Sequence, residues 1–488
     1  MPATLDKLKN RFPHKSFGRN VLTLMSGTVF AQVLMIFVAP ILTRLYGPEG
    51  FGLFALYYSL LSVFGVVSCG RYELAIVLPK EDGEAANLFL LSLLICLLTS
   101  FLAFPLILLF RSSIANSLNN PALSPWLLVL PLQLFVQGVF LSLNYWGTRR
   151  KQFGRLATRQ VTQSLGTSLG QIGLGFLLKG HGSGLVFGAL IGQTLATARL
   201  AWQTLRDDGN LIRTTFSMKT IRELLYRHRD FPLFSTWTGF MNTLSTMLPA
   251  LLLGYYFSPA IVGFYSLGQR VLSLPMTLIG GALAQAFYPH ATEAFHSGHL
   301  PETTRKTFIF LMELGLLPFA LLTLIAPDAF KLVFGNQWVT AGIYVRWLAL
   351  WIFLVFVSSP LSSIYMVLGK QRLGFFVNLL MLASRVLALI LGGMRGSALL
   401  AVQLFGVTGL LLWIGNCLLI LSMAGVSFSK ALSDLRKPIF ESLLFLAPIL
   451  FAFALIGNPL GRICLGFACF AAFVFFKGSR FMKEGLPA

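Results

Sequence analysis

Residues 42–62, LTRLYGPEGFGLFALYYSLLS, return in altered form at 253–273 as LGYYFSPAIVGFYSLGQRVLS. An offset of 211 sets Pro48 on Pro259, Gly52 on Gly263 and Ser62 on Ser273. Pro105 and Pro318 continue the match at 213, and YWGTRRKQFG (145–154) meets YMVLGKQRLG (365–374) at 220, with a tyrosine opening, a basic middle and a closing glycine. Small insertions explain the drift. A chain duplicated in this way is expected to fold as two similar halves.

The composition decides what the halves are made of. Of 488 residues, 11% are charged and 56% hydrophobic, 45 are Phe, and the mean hydropathy is +0.76. Soluble domains carry about 25% charged residues, and a helix crossing about 30 Å of hydrocarbon needs about 20 apolar residues. Reading apolar runs between charged or turn-forming breaks predicts fourteen helices, near 20–44, 51–79, 84–110, 124–147, 156–178, 183–204, 231–257, 260–290, 306–330, 340–368, 373–394, 397–424, 438–456 and 459–476. Six helices separate matching segments, so the two copies share one orientation. The expected fold is all-α: a polytopic membrane protein of about 14 transmembrane helices in two parallel six-helix bundles plus two extra C-terminal helices. Its expected divisions are a basic cytoplasmic tail (1–19), a first bundle (20–204), a cytoplasmic linker (205–230), a second bundle (231–424), and helices 13 and 14 with a tail (425–488).

The basic residues orient this topology. With the N-terminus inside, 26 of the 38 Lys and Arg fall on cytoplasmic segments, six on outer connections and six within spans. Short cytoplasmic loops are enriched in this way, so both termini are expected in the cytoplasm and an even number of crossings follows. The net charge of +21 is thereby explained as an orientation signal facing anionic lipid. Nucleic-acid binding would need a basic folded surface with aromatic platforms, and none is seen. The first nineteen residues do not form a cleavable signal. Cys69, Cys96, Cys417, Cys464 and Cys469 lie in apolar runs without disulfide or CxxC spacing. The six histidines lack metal-ligand spacing. No cofactor motif, carboxylate pair or Ser/His arrangement points to an enzyme, and Asp207-Asp208 reads as a solvated turn.

Charges inside hydrocarbon are costly and tend to be functional. Arg71 and Glu73 close the second span. On a helix they point about 160° apart and cannot pair, and Arg71 lies about 13 Å above the cytoplasmic exit at Lys80. A guanidinium stays charged and matches phosphate with paired donors, which makes Arg71 a candidate anion ligand, or else the partner of a carboxylate on another helix. Arg270 and Arg385 have no carboxylate within four positions and join it. Arg346, near an outer end, and Arg159 and Arg199, near the inner surface where they snorkel, are weaker candidates. Glu73 and Glu313 are candidates for proton or sodium coupling, with an ion pair to one of these arginines as the simpler role for Glu313. Polar stripes mark two faces: Gln160, Gln163, Thr167 and Gln171 in span 5, and Ser235, Thr238, Asn242 and Ser245 in span 7. Such faces line water or pack on other helices; span 7 is expected to line a lumen. Substrate contacts are expected at Gln163, Thr167 and Asn242.

The run ILTRLYGPEGFGLFALYYSLLSVFGVVSCGRYELAIVLPKEDGEAANLFLLS, 41–92, resembles the amino-terminal signature of bacterial oligosaccharide flippases of the polysaccharide transporter (Wzx-type) family, in the multidrug/oligosaccharidyl-lipid/polysaccharide exporter superfamily. The resemblance implies translocation of undecaprenyl-diphosphate-linked oligosaccharide across the cytoplasmic (inner) membrane by alternating access. It implies a role in O-antigen, capsule or exopolysaccharide assembly, with a polysaccharide polymerase and a chain-length regulator as partners. The superfamily's other branch gives the competing expectation, a cation-coupled antiporter exporting drugs or small solutes.

Overall fold

The computed structural model describes residues 17–455 and 459–484. The basic tail up to residue 16 and the chain end from 485 lie outside the described residues. Among the described residues there is no strand, and each of the fourteen apolar stretches is helical over most of its length. By length and composition, eight helices among the described residues are able to cross a membrane. Counting the bent pair Pro121–Leu127 and Leu130–Arg149, which turn 52° at their junction, gives nine. The protein is a multi-pass membrane protein.

Two compact units divide the chain at Val262 and Gly263. In the first, α1 (Phe17–Leu45) and α2 (Pro48–Gly65) are separated by a single tight turn. Pro48 starts α2 where a helix needs no donor. Span 2, expected to be one helix to residue 79, instead stops at Gly65 and continues as a 3-10 turn, Tyr72–Val77. Then come α3 (Asp82–Ser117), α4 (Leu130–Arg149), α5 (Phe153–Leu177) and α6 (Ser183–Thr215). α3 exposes Phe101, Leu102, Phe104, Leu106 and Leu109, the pattern of a helix whose solvent is lipid. α5 and α6 cross closely because both are bare: a Cβ on Gly166 would lie 3.0 Å from Gly192 Cα, and one on Gly170 3.0 Å from Gly188 Cα.

The expected linker, 205–230, is almost wholly helical. α6 runs through it to Thr215, and α7 (Met218–Arg227) follows, capped by Ser217, whose Oγ accepts from Thr220 N at 3.3 Å. Ile221 and Leu224 of α7 enter the core formed by Phe89, Leu143, Trp146 and Leu200. Asp208 is not a solvated turn residue. It is buried, accepting from Trp146 Nε1 at 3.0 Å and pairing with Arg150 at 2.6 Å. Asp207 pairs with Arg155. A π-turn, Phe231–Ser235, leads into α8 (Thr236–Tyr256). Gly254 of α8 rests on Leu56 of α2, and Asn119 donates to the Tyr255 carbonyl at 2.6 Å.

The helix α9 (Pro259–Leu272), a π-turn (Met276–Gly280) and α10 (Gly281–His296) replace the expected continuous span 8. The second unit continues with α11 (Leu300–Phe334), α12 (Val339–Leu361), α13 (Gln371–Met394), α14 (Ala398–Met423), α15 (Phe428–Leu455) and α16 (Pro459–Glu484). Leu317, Leu321 and Ile325 of α11 pack with Leu446 and Ile449 of α15 and Phe473 of α16. The last two helices are therefore part of this unit's core.

Candidate functional site

The break in span 2 builds the most unusual site in the first unit. Beyond Gly65 the chain makes successive i to i+3 turns, with Ser68 N bonded to Gly65 O at 3.3 Å and Gly70 N to Val67 O at 3.0 Å. Gly70 and Arg71 then adopt left-handed backbone in succession, φ +57° and +63°. Glycine does so freely, whereas a side-chain-bearing residue there costs about 1–2 kcal/mol. Such strain concentrates where a side chain must be aimed.

This turn overrides the helical geometry that would keep Arg71 and Glu73 apart. Arg71 Nη1 lies 3.9 Å from Glu73 Oε1, with the carboxylate 2% and the guanidinium 24% exposed. At that distance the two are charge neighbours, not hydrogen-bonded partners. None of the described residues accepts a hydrogen bond from the Arg71 guanidinium, and its Nε is buried without a partner, as is Glu73 Oε2. The guanidinium lies against the backbone of Gly239 on α8. The residue between the charged pair, Tyr72, donates its hydroxyl to the Leu225 carbonyl on α7 at 2.8 Å.

The other cations divide into committed and uncommitted. Arg346 donates to the carbonyls of Thr323 and Leu324 at 3.2 and 3.3 Å. Arg159 does not snorkel to the surface: it is buried with its Cζ 3.2 Å from the Phe140 ring centroid. Arg199 bonds Thr162 Oγ1 at 3.1 Å. In the second unit Arg385 sits over the Trp351 ring at 5.5 Å, and neither it nor Arg270 forms an ion pair with any described residue. Glu313 is paired, though not with an arginine. Lys477 of α16 lies 3.3 Å from Glu313 and 2.5 Å from Glu441 of α15, a triad that sequence reading missed because 164 residues separate Glu313 from Lys477.

The span 5 stripe is mostly committed to packing. Gln171 donates to the Leu185 carbonyl at 3.0 Å, Gln160 accepts from Thr28 at 3.2 Å, and Thr167 lies against Gly192 at the α5–α6 crossing, while Gln163 is half-buried. On α8, Thr238 and Asn242 are exposed. Gly239 lies on the same helix, so the α8 segment that carries them also touches Arg71.

A family model described as "Polysaccharide biosynthesis protein" matches residues 41–342, more than half of the chain and centred on these elements. The chain belongs to this polysaccharide biosynthesis protein family. Among solved structures, this family member is similar to a lipid II flippase, MurJ, in an inward closed conformation. The TM-score is 0.69 at 15% identity, over 94% of this chain and 99% of the other. It is also similar to an inward-facing multidrug resistance MATE family transporter of the MOP superfamily, with TM-score 0.57, 16% identity, and 81% and 96% of the two chains covered. A MOP superfamily transporter from Pyrococcus furiosus matches with TM-score 0.52 at 14% identity over 84% and 97%. At these identities the likeness is one of fold. No curated protein matches the polysaccharide biosynthesis protein's sequence.

Proposed function

We propose that this polysaccharide biosynthesis protein is a flippase for undecaprenyl-diphosphate-linked oligosaccharide in the cytoplasmic (inner) membrane, working by alternating access of two halves, 20–204 and 231–424. Membership of the family and a transporter fold shared with a lipid II flippase support this reading. A single feature carries it: Arg71, a permanent cation held in a strained turn of a broken span, with guanidinium donors that no described residue accepts.

A diphosphate moving through hydrocarbon must exchange its water shell for fixed cations and polar groups. Arg71 takes that part in the first unit, and Arg270 and Arg385, which form no ion pair with any described residue, take it in the second. Thr238 and Asn242 wet the sugar, while the lipid chain stays in the bilayer. Glu73, beside Arg71 and without a partner for Oε2, is the carboxylate placed to exchange a proton when the phosphate arrives or leaves. Glu313 anchors α16 through Lys477. Polymerase and chain-length regulator then receive the product on the far side.

The test is Arg71→Ala at normal membrane level. Loss of surface polysaccharide with accumulation of lipid-linked units inside the cell is expected; normal polymer removes Arg71 from the mechanism. The likeness to a MATE family transporter motivates a second reading, a cation-coupled exporter of small solutes. Efflux that follows expression while polysaccharide is unaffected would select it.

A further inference from the structure

The helix α7 is fixed to the first unit on one face and bare on the other. Ile221 and Leu224 point into the core. Asn87 of α3 clamps the turn that precedes α7, donating to the Thr215 carbonyl at 2.8 Å and accepting from Ser217 N at 3.0 Å. At the far end Arg227 pairs with Glu84 at 3.1 Å, and the Leu225 carbonyl holds the Tyr72 hydroxyl at 2.8 Å. A helix tied at both ends presents its outer face as a preformed surface.

That face carries Met218, Lys219, Arg222, Glu223 and Tyr226, all exposed, which together line a shallow groove of about 440 Å3. Lys219 and Arg222 are three apart on one helix, so their side chains leave the same side with Cβ atoms about 5–6 Å apart. Neither forms an ion pair with any described residue. The charge around them is unbalanced. Over 213–230, with Arg227 paired to Glu84, the cations Arg213, Lys219, Arg222 and Arg229 stand against only two carboxylates, Glu223 and Asp230. The neighbouring acids Asp207 and Asp208 are already held by Arg155 and Arg150.

The flanking elements place the groove. α6 exposes Trp202 and Leu205, and the chain beyond α7 exposes Leu233, Phe234 and Trp237, apolar surface that belongs against lipid tails. Between them α7 is clamped to Glu84 and Asn87, the polar first turns of α3 just ahead of its apolar run. Its outer face therefore lies at the headgroup boundary, where tyrosine and basic residues are favoured. We infer that this groove binds an anionic phospholipid with a hydroxylated headgroup, such as phosphatidylglycerol. The phosphodiester sits between Lys219 and Arg222, whose donors match an anionic phosphate. The headgroup hydroxyls donate to Glu223, and the glycerol backbone rests on Met218 and Tyr226. A zwitterionic headgroup would bring its own cation to a surface with surplus positive charge. The ligand is a lipid of the bilayer and not the cargo, so the site stands whether or not the protein is a flippase.

The test is equilibrium binding to the delipidated full-length protein in detergent. The probes are dihexanoyl phosphatidylglycerol, dihexanoyl phosphatidylmethanol, dihexanoyl phosphatidylethanolamine and glycerol 1-phosphate. Phosphatidylglycerol should bind tightest, and Lys219→Gln/Arg222→Gln should weaken it by about tenfold or more. The melting temperature of the lipid-free double variant should not change, since both side chains are exposed and unpaired. Phosphatidylmethanol has the same charge and no headgroup hydroxyl; its disadvantage against phosphatidylglycerol should vanish in Glu223→Gln. Unchanged phosphatidylglycerol affinity in the double variant overturns the site. Equal wild-type affinity for phosphatidylethanolamine or phosphatidylmethanol overturns the headgroup assignment, and glycerol 1-phosphate binding as tightly as the lipid overturns the lipid. None of these results bears on Arg71, so the flippase reading is tested separately.

Discussion

The guanidinium of Arg71 occupies the space that a side chain on Gly239 would need, leaving no room there for even a methyl group. Gly239→Ala should therefore displace the arginine without removing it. The variant is expected to reach the membrane at near-normal level, since overpacking costs about 1–3 kcal/mol, yet to lose most of its transport. Surface polysaccharide measured against protein level decides this. Full polymer from a normally inserted Gly239→Ala protein would mean that the seat on α8 has no part in function.

Stability and transport should move in opposite directions at the left-handed turn. Arg71→Gly/Glu73→Gln removes both members of the charge pair and relieves φ of +63°, a gain of about 1–2 kcal/mol. Thermal unfolding in detergent is expected at or above the wild-type temperature, with export abolished. A double variant that melts well below wild type would show that Arg71 and Glu73 hold the fold instead of serving a ligand.

Lys477→Met removes the cation that pairs with both Glu313 and Glu441. Removing one member of a buried ionic cluster costs about 3–5 kcal/mol, so a large fall in melting temperature is expected. The neutral triple variant, with Gln at both glutamates, should recover most of it. Equal stability of Lys477→Met and wild type contradicts the assignment of this triad as the anchor of α16.

His228, just past α7, is held below the ordinary imidazole range by burial and by Arg227, with Glu84 opposing. The unfolded chain then takes up a proton that the folded chain refuses. Stability contributed by neutral His228 is present above pH of about 6.5 and is lost as pH falls toward the folded value. Melting temperatures at pH 7.5 and 5.5 should differ less for His228→Gln than for wild type; identical slopes refute the assignment.

Helix positions were legible because twenty-residue apolar runs have few alternatives in a bilayer. The break in span 2 was not, since apolarity from Phe51 onward hides a change of backbone, and the informative signals, Gly65 and Gly70 ahead of Arg71, are ambiguous in a membrane helix. Arg71 and Glu73 were singled out by their cost in lipid, yet their pairing depends on a dihedral angle that composition does not encode. Asp208 was misread for a related reason. DDG looks like a turn, but α6 continues through it, and Trp146 and Arg150 arrive from sixty residues away. The helix α7 was masked by its charges, although Ser217 followed by Ile221 and Leu224 is a capped amphipathic pattern.

The bond from Tyr72 to Leu225 places a handle on the outside of the machine. Arg71 and Glu73 flank the tyrosine in sequence, so α7 is tied by this hydrogen bond to the residue next to the cation. An antibody fragment gripping Lys219 and Arg222 on the exposed side of α7 is then expected to stop the proposed translocation from a distance, with no need to compete for the proposed substrate.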